Sequence, residues 1–173
     1  MNTIKHAKKL ANLKPEVLAY MAGFIDSDGS LIAQIVRKSD YAYKFQLRFS
    51  IQFSQRTSRK IYLDQLRDEV GYGHVVTRNN MSDYVITEAR ILCELLELLR
   101  PYLRIKKRQA NLIIKIIQEL PSAKVSKEKF IELCKLANQV SQLNEPNKTL
   151  KNTWEVVQAE LLPMREDNNV ISP

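Results

Sequence analysis

Between Tyr43 and Gln55 the chain alternates apolar and polar residues almost without error. Tyr43, Phe45, Leu47, Phe49, Ile51 and Phe53 fall on one side, and Lys44, Gln46, Arg48, Ser50, Gln52 and Ser54 on the other. A period of two over this length marks an antiparallel strand with one face in a core and one face free. Such a strand needs neighbours. Residues 30–37 alternate more loosely, with Leu31, Ala33 and Ile35 set against Ser30 and Gln34, and can pair with it across a turn at 39–42. Two shorter strands are expected at 74–78 and 83–87, joined by Asn79 and Asn80, which tolerate left-handed backbone.

Helical patterns separate the strands. Pro15 and Glu16 open the first helix, its apolar stripe is Leu18, Met21, Ala22 and Ile25, and Gly29 ends it. Further helices are expected at 58–70, 88–99, 106–119, 127–143 and 152–161, broken by Gly71, Gly73, Pro101, Pro121 and the segment 144–148. The order helix, strand, strand, helix, strand, strand, helix predicts an α+β fold: one four-stranded antiparallel sheet with helices on one face. Length allows one sizeable core. The expectation is therefore a single domain over residues 1–173, with its core at about 15–140 and a C-terminal helical extension at about 141–162.

The free face of the long strand carries a particular chemistry. Lys44 and Arg48 can meet phosphates or guanine edges, Gln46 and Gln52 can pair with adenine, and Ser50 and Ser54 can reach either base edge. Gln34, Lys38, Arg78 and Asp83 extend that surface, Asp83 as an acceptor from cytosine. At ~3.3 Å per residue the strand spans about 40 Å, roughly twelve base-pair steps. An ordinary solvated face is the alternative, but residues 43–55 contain no Asp or Glu. The whole chain has 27 Lys+Arg against 19 Asp+Glu, a formal net charge of +8, which favours an anionic partner, nucleic acid first.

The segment MAGFIDSDGS (21–30) places Asp26 and Asp28 where the first helix gives way to a strand. Two acids so spaced most often cap a helix or face solvent. Here the helix also holds Ala22 and Gly23, small residues that let a second helix approach closely. Two copies meeting across a two-fold axis would bring two Asp28 carboxylates together, which repel unless divalent cations hold them. All-oxygen ligands without His or Cys favour Mg²⁺.

The stretch YMAGFIDSDGS (20–30) resembles the signature of the LAGLIDADG homing endonucleases. The likeness continues through FSIQFSQRTSRK (49–60), DYVITE (83–88) and PYLRIKKRQANLIIKIIQELPSAK (101–124), and covers most of residues 15–140. A single motif is similar to the homodimeric, intron-encoded branch typified by a green-algal chloroplast enzyme. The resemblance implies an αββαββα fold whose sheet forms a saddle over the DNA major groove. It implies motif helices packed across the dimer, with Tyr20, Met21, Ala22, Gly23, Ile25 and Asp26 at the interface. Asp28 is then the metal ligand, Ser27 lends its backbone carbonyl, and Gln55, Arg59 and Lys106 order water and offset charge at the scissile phosphates. The base-facing positions are Gln34, Lys38, Lys44, Gln46, Arg48, Ser50, Gln52, His74, Val76, Arg78, Asp83 and Val85.

The residues agree with these roles chemically. Lys and Arg stabilise developing negative charge, Gln orients water without acting as its base, and Val76 and Val85 suit thymine methyl groups. Asp26 reads as a brace for the motif helix more readily than as a metal ligand. Ser27 departs from the glycine common at its position, and its hydroxymethyl group is expected to crowd the tightest part of the interface.

The implied function is cleavage of both strands of a long pseudo-palindromic DNA site, leaving 3′ overhangs and promoting intron homing. At ~10 bp per subunit the site is about 20 bp. Mg²⁺ is the expected cofactor, with Mn²⁺ able to substitute. A non-cleaving DNA- or RNA-binding protein on the same saddle is the alternative class, and intact Asp28 and Lys106 favour the enzyme.

Other classes fit poorly. Cys93 and Cys134 sit in apolar helical patterns and read as reduced core thiols. His6 and His74 form no ligand cluster, and no apolar run approaches the ~20 residues that cross a bilayer. The expectation is no membrane and no small-molecule cofactor, in an intracellular and, by the resemblance, chloroplast setting. The Lys/Ala-rich segment 5–14 is not read as an organellar presequence, because it lacks Arg and has few hydroxyl residues.

Overall fold

The structure is a computed structural model and describes residues 10–162, so the first half of the segment 5–14 lies outside the described residues. The elements in chain order are α1 (Pro15–Ser27), β1 (Gly29–Arg37), β2 (Phe45–Arg56), a 3₁₀ turn (Thr57–Arg59), α2 (Lys60–Val70), β3 (His74–Arg78), β4 (Met81–Ile86), α3 (Ala89–Leu99), α4 (Lys107–Ala123), α5 (Lys127–Asn144) and α6 (Trp154–Leu161). The four strands form one antiparallel sheet in the order β1-β2-β4-β3. The expected αββαββα core with added C-terminal helices is what the chain builds.

The alternation of β2 decides the layers. Phe45, Leu47, Phe49, Ile51 and Phe53 are buried under the helices, together with Leu31, Ala33 and Ile35 of β1 and Tyr84 and Ile86 of β4. Phe53 stacks on Tyr84 with ring centroids 5.5 Å apart, and Phe24 of α1 meets Phe53 edge-on at 5.3 Å. One continuous hydrophobic cluster joins these rings to Leu63 of α2, Leu92 and Leu96 of α3, Ile113 of α4 and Leu133 of α5. Cys93 and Cys134 are free thiols inside it, and burial pushes Cys134 up to about 12. Among the described residues no helix is long and apolar enough to cross a membrane.

Three sequence expectations change. The long strand begins at Phe45, because Tyr43 and Lys44 belong to the turn: Lys44 has φ 57°, and its carbonyl accepts from Lys38 N–H at 2.8 Å. Closing the hairpin requires left-handed backbone there, which removes Lys44 from the outward row. The second hairpin pairs one to two residues earlier than expected, with Arg78 opposite Met81. Pro121 lies inside α4 instead of ending it. In the last turn its missing N–H costs one helical hydrogen bond, and Lys124 N–H still reaches the Pro121 carbonyl at 3.3 Å.

Gly29 lets α1 hand over directly to β1. A Cβ there would lie 2.7 Å from Ile25 Cα and 3.1 Å from the Gln52 carbonyl oxygen. The end of the acidic helix is therefore pressed against the backbone of β2, which sets Asp28 at the edge of the sheet.

Candidate active site and nucleic-acid interface

Asp28 is the C-cap of α1, with φ −109° and ψ 0°, and its N–H donates to the Phe24 carbonyl at 3.0 Å. Its carboxylate is exposed, and among the described residues no group donates a hydrogen bond to it. The positive charge beside it is Lys106, which feels both Asp28 and Asp26. Lys106 Nζ donates to the carbonyls of Ile25 at 2.6 Å and Gly29 at 2.7 Å. It thereby caps the helix end that carries Asp28, where carbonyls lack intrahelical partners. Burial pushes the Lys106 ammonium below its usual range, and the two carboxylates oppose that shift.

Asp26 turns away from Asp28. Its two oxygens accept from Lys106 N–H at 2.9 Å and Arg104 N–H at 2.8 Å, on the loop that leads into α4. Burial works against its ionisation, but the Lys106, Arg104 and Ile105 amides and the Lys106 charge outweigh it, leaving the carboxyl below its usual range. Within the chain Asp26 thus braces the motif helix, as its chemistry suggested, by tying α1 to the loop that opens α4. A carboxyl with a depressed folded pKa stabilises the fold above its unfolded value, near pH 4, and loses that contribution as pH falls through the folded value. Asp26→Asn is expected to cost about 2 kcal/mol at neutral pH. Thermal melts should show the gap to the unmodified chain closing below about pH 4.

Burial within the single chain separates two faces of α1. Met21, Ala22 and Ile25 are 0% exposed in the chain by itself, because they face the sheet. The open face is Glu16, Ala19, Tyr20, Gly23 and Ser27, at helical spacings of three and four. Tyr20 is 59% exposed, and a Cβ on Gly23 would meet nothing within 4 Å. Ala19 was not foreseen as part of this face, whereas Ser27 was expected there. The four-residue spacing Ala19, Gly23, Ser27 was the available signal. Ser27 directs its hydroxyl back to the Phe24 carbonyl at 3.2 Å, which takes up the group expected to crowd this surface.

Gln55 and Arg59 lie at the same end of the sheet. Gly29 pairs with Phe53, so Gln55 stands two residues past the start of β1. It accepts from Arg59 Nη1 at 3.5 Å. Gln55 is on the helix side of β2, opposite Ser82, and so lies outside the outward row. Among the described residues no three His, Cys, Asp or Glu side chains gather as a metal site. At this end of the sheet the described residues offer the Asp28 carboxylate and carbonyls of a helix end, hard oxygen donors that suit Mg²⁺ when a second set joins them.

The outward face follows from the register. Opposed pairs across β1 and β2 are Val36 with Gln46, Gln34 with Arg48, Ile32 with Ser50 and Ser30 with Gln52. Across β2, β4 and β3 they are Gln52, Val85 and His74, then Ser54, Asp83 and Val76, then Arg56, Met81 and Arg78. Every expected outward strand residue is therefore on one face, while Lys38 lies just beyond β1, 3.5 Å from Asp40, and Lys44 in the turn. Ser50 and Val85 are 8% and 7% exposed. They form the floor of the outward face between longer side chains. Ser50 shares its hollow with Thr87 and Ala89, where the chain leaves β4. Ser54 donates to Asp83 at 2.5 Å and fixes that acceptor; Arg48 donates to Gln46 at 3.3 Å. Ser30, Ile32, Val36, Arg56 and Met81 also face outward. Ser30 was expected there from the β1 alternation; the apolar character of Ile32 and Val36, the late end of β2 and the early start of β4 hid the other four.

Comparisons with known proteins agree with this arrangement. Residues 21–118 match the family described as LAGLIDADG endonuclease. The chain is 46% identical over 151 residues to the DNA endonuclease I-CreI of Chlamydomonas reinhardtii, covering 87% of this chain and 92% of that protein. It is 38% identical over 131 residues to the DNA endonuclease I-CvuI of Chlorella vulgaris, covering 75% and 81%. The crystal structure of I-CvuI with the I-CreI target, uncleaved in 2 mM Mg, superposes with a TM-score of 0.78 at 36% identity over 83% of this chain and 91% of that one. An archaeal intron-encoded enzyme, I-Vdi141I bound to DNA, shares the fold at TM-score 0.72 and 21% identity, over 83% of this chain and 92% of that one.

Proposed function

The chain belongs to the LAGLIDADG endonuclease family, and we propose that two copies of it form a homing endonuclease that cuts both strands of a long, pseudo-palindromic DNA site. The observation that carries this reading is the Asp28 carboxylate, exposed at a braced helix end and given no hydrogen bond by the described residues, beside the outward, largely polar face of the sheet. Asp26, by contrast, is held by two backbone amides of its own chain.

Each chain contributes half of the centre. The Gly23 face of α1 packs on its two-fold mate and brings the two Asp28 residues together. Asp28 and the Ser27 carbonyl would hold the divalent cation, Mg²⁺ or Mn²⁺ in its place. When bound, that cation supplies Lewis-acid stabilisation of the phosphate and favours ionisation of the attacking water. Gln55 orients water, with its amide positioned by Arg59. Arg59 and Lys106 offset the charge that develops on the phosphate oxygens. Lys106 has a second task, because its ammonium fixes the carbonyl end of α1 and so the direction in which Asp28 points.

Sequence is read by the outward rows, with Gln34, Gln46, Arg48, Gln52, His74, Arg78 and Asp83 as the polar readers and Val76 as an apolar one. Lys38 and Lys44, at the hairpin tip, meet the phosphate backbone. Each chain reads about 10 bp and the pair about 20 bp, from the half-site geometry of a dimer. The curated relatives are algal, and we place this chain in the chloroplast with the intron it mobilises.

A randomised duplex library incubated with the protein and Mg²⁺, followed by sequencing of the cut molecules, tests the reading. The expected yield is one family of sites about 20 bp long, with two related halves and breaks in both strands near their centre, abolished by chelation. Sequence-specific binding with no cleavage in Mg²⁺ or Mn²⁺ would overturn the enzyme and leave a DNA-binding protein.

A further inference from the structure

The strand β1 lies at the edge of the sheet, paired only with β2. In an antiparallel edge strand every second residue turns its backbone groups away from the sheet. On β1 those are Leu31, Ala33 and Ile35, and each of their carbonyls receives a side chain from the C-terminal part of the chain. Asn144 Nδ2 donates to Leu31 O at 2.7 Å, Ser141 Oγ to Ala33 O at 3.2 Å and Asn152 Nδ2 to Ile35 O at 3.1 Å. The first two come from the last turn of α5 and the third from the loop that returns to α6. At the far end of β1, Arg37 donates to Glu160 of α6 at 3.0 Å through Nη1. Asn138 Oδ1 accepts from Trp154 N–H at 2.7 Å and holds α6 on α5.

The alternate residues of this same strand, Ser30, Ile32, Gln34 and Val36, make up one outer row of the face assigned above to DNA. A strand held only by β2 can twist or slip at its open side, and its side chains move with its backbone. We propose that Ser141, Asn144 and Asn152 are positioning residues for DNA recognition: a lock on three successive edge carbonyls that sets the twist and register of β1, and through them the spacing of its base-facing side chains. The C-terminal extension thereby acts on specificity without touching a base. This inference rests on the DNA reading above.

The test uses the full chain with Asn144→Asp and Asn152→Asp together, near-isosteric changes that replace donors with acceptors opposite carbonyl oxygens, and Ser141→Ala as a milder variant in case the pair fails to fold. Amide hydrogen exchange in the free protein should quicken roughly tenfold at Ser30, Ile32, Gln34 and Val36, with β3 and β4 unchanged. In library selections, preference at the base pairs that Gln34→Ala alters should flatten roughly tenfold, while preference at those that Arg78→Ala alters is kept. Unchanged exchange on β1, or an even loss of preference across the whole site, would overturn the lock. If the unmodified chain showed no sequence preference at all, the DNA reading would fall, and the exchange measurement would decide by itself whether the lock exists.

Discussion

Asp28→Asn is expected to abolish strand cleavage, by about 10³-fold or more, while leaving the protein folded and bound to its site. The size follows from what the carboxylate does. In the proposed centre it is the charged ligand each chain would offer to the divalent cation, and an amide of the same shape holds Mg²⁺ poorly. The fold is spared because the described residues give Asp28 no side-chain hydrogen bond to lose. Binding in the absence of metal should stay level or tighten, since an acid that faces phosphates has been neutralised. Gel-shift affinity and cleavage rate, measured on one duplex, separate the two effects. Parallel loss of both would mean that Asp28 supports the fold or the DNA contact instead of the reaction.

Gly23→Glu should be as damaging by a different route. Gly23 faces open space in the chain taken singly, so a side chain there meets nothing of its own subunit. Replacing a mid-helix glycine with a good helix former adds roughly 0.5–1 kcal/mol to the helix. Across the proposed two-fold axis the same change would set bulk against bulk and charge against charge where the two helices are to meet. The expected product keeps its helical circular dichroism, elutes as a monomer and cuts no DNA. A Gly23→Glu protein that remained dimeric and active would remove α1 from the interface.

The two predictions differ in how far the sequence foretold them. Asp28 could be picked out because a resemblance and the local chemistry agreed on one residue. The interface face could not, since Ala22 and Gly23 are both small, and only the packed structure shows that one faces the chain's own sheet. Met21 and Ile25, expected at the interface, are buried in the chain's own core, and an apolar stripe alone does not say which of two partners it meets. The inward row of β2 was legible because a period of two separates the faces of a strand by residue type alone. That rule ran too far at Lys44, where the turn's need for left-handed backbone overrides polarity. The bond from Asp26 to the Arg104–Lys106 loop and the three bonds that lock β1 stayed hidden. They join side chains to backbone groups far away in sequence, and no periodicity records such pairs.

The claim on which the rest depends is that the cutting centre is made by two chains. Unmodified chains and Asp28→Asn chains can be mixed in denaturant and refolded together at a fixed total concentration, so that dimers form at random. The double-strand cleavage rate of a cognate duplex is then followed against the fraction of unmodified chain. If both Asp28 residues are required, the rate follows the square of that fraction and an equal mixture keeps about a quarter of full activity. A rate that falls in simple proportion, leaving about half at the equal mixture, would mean that one chain cuts alone and would contradict the shared centre.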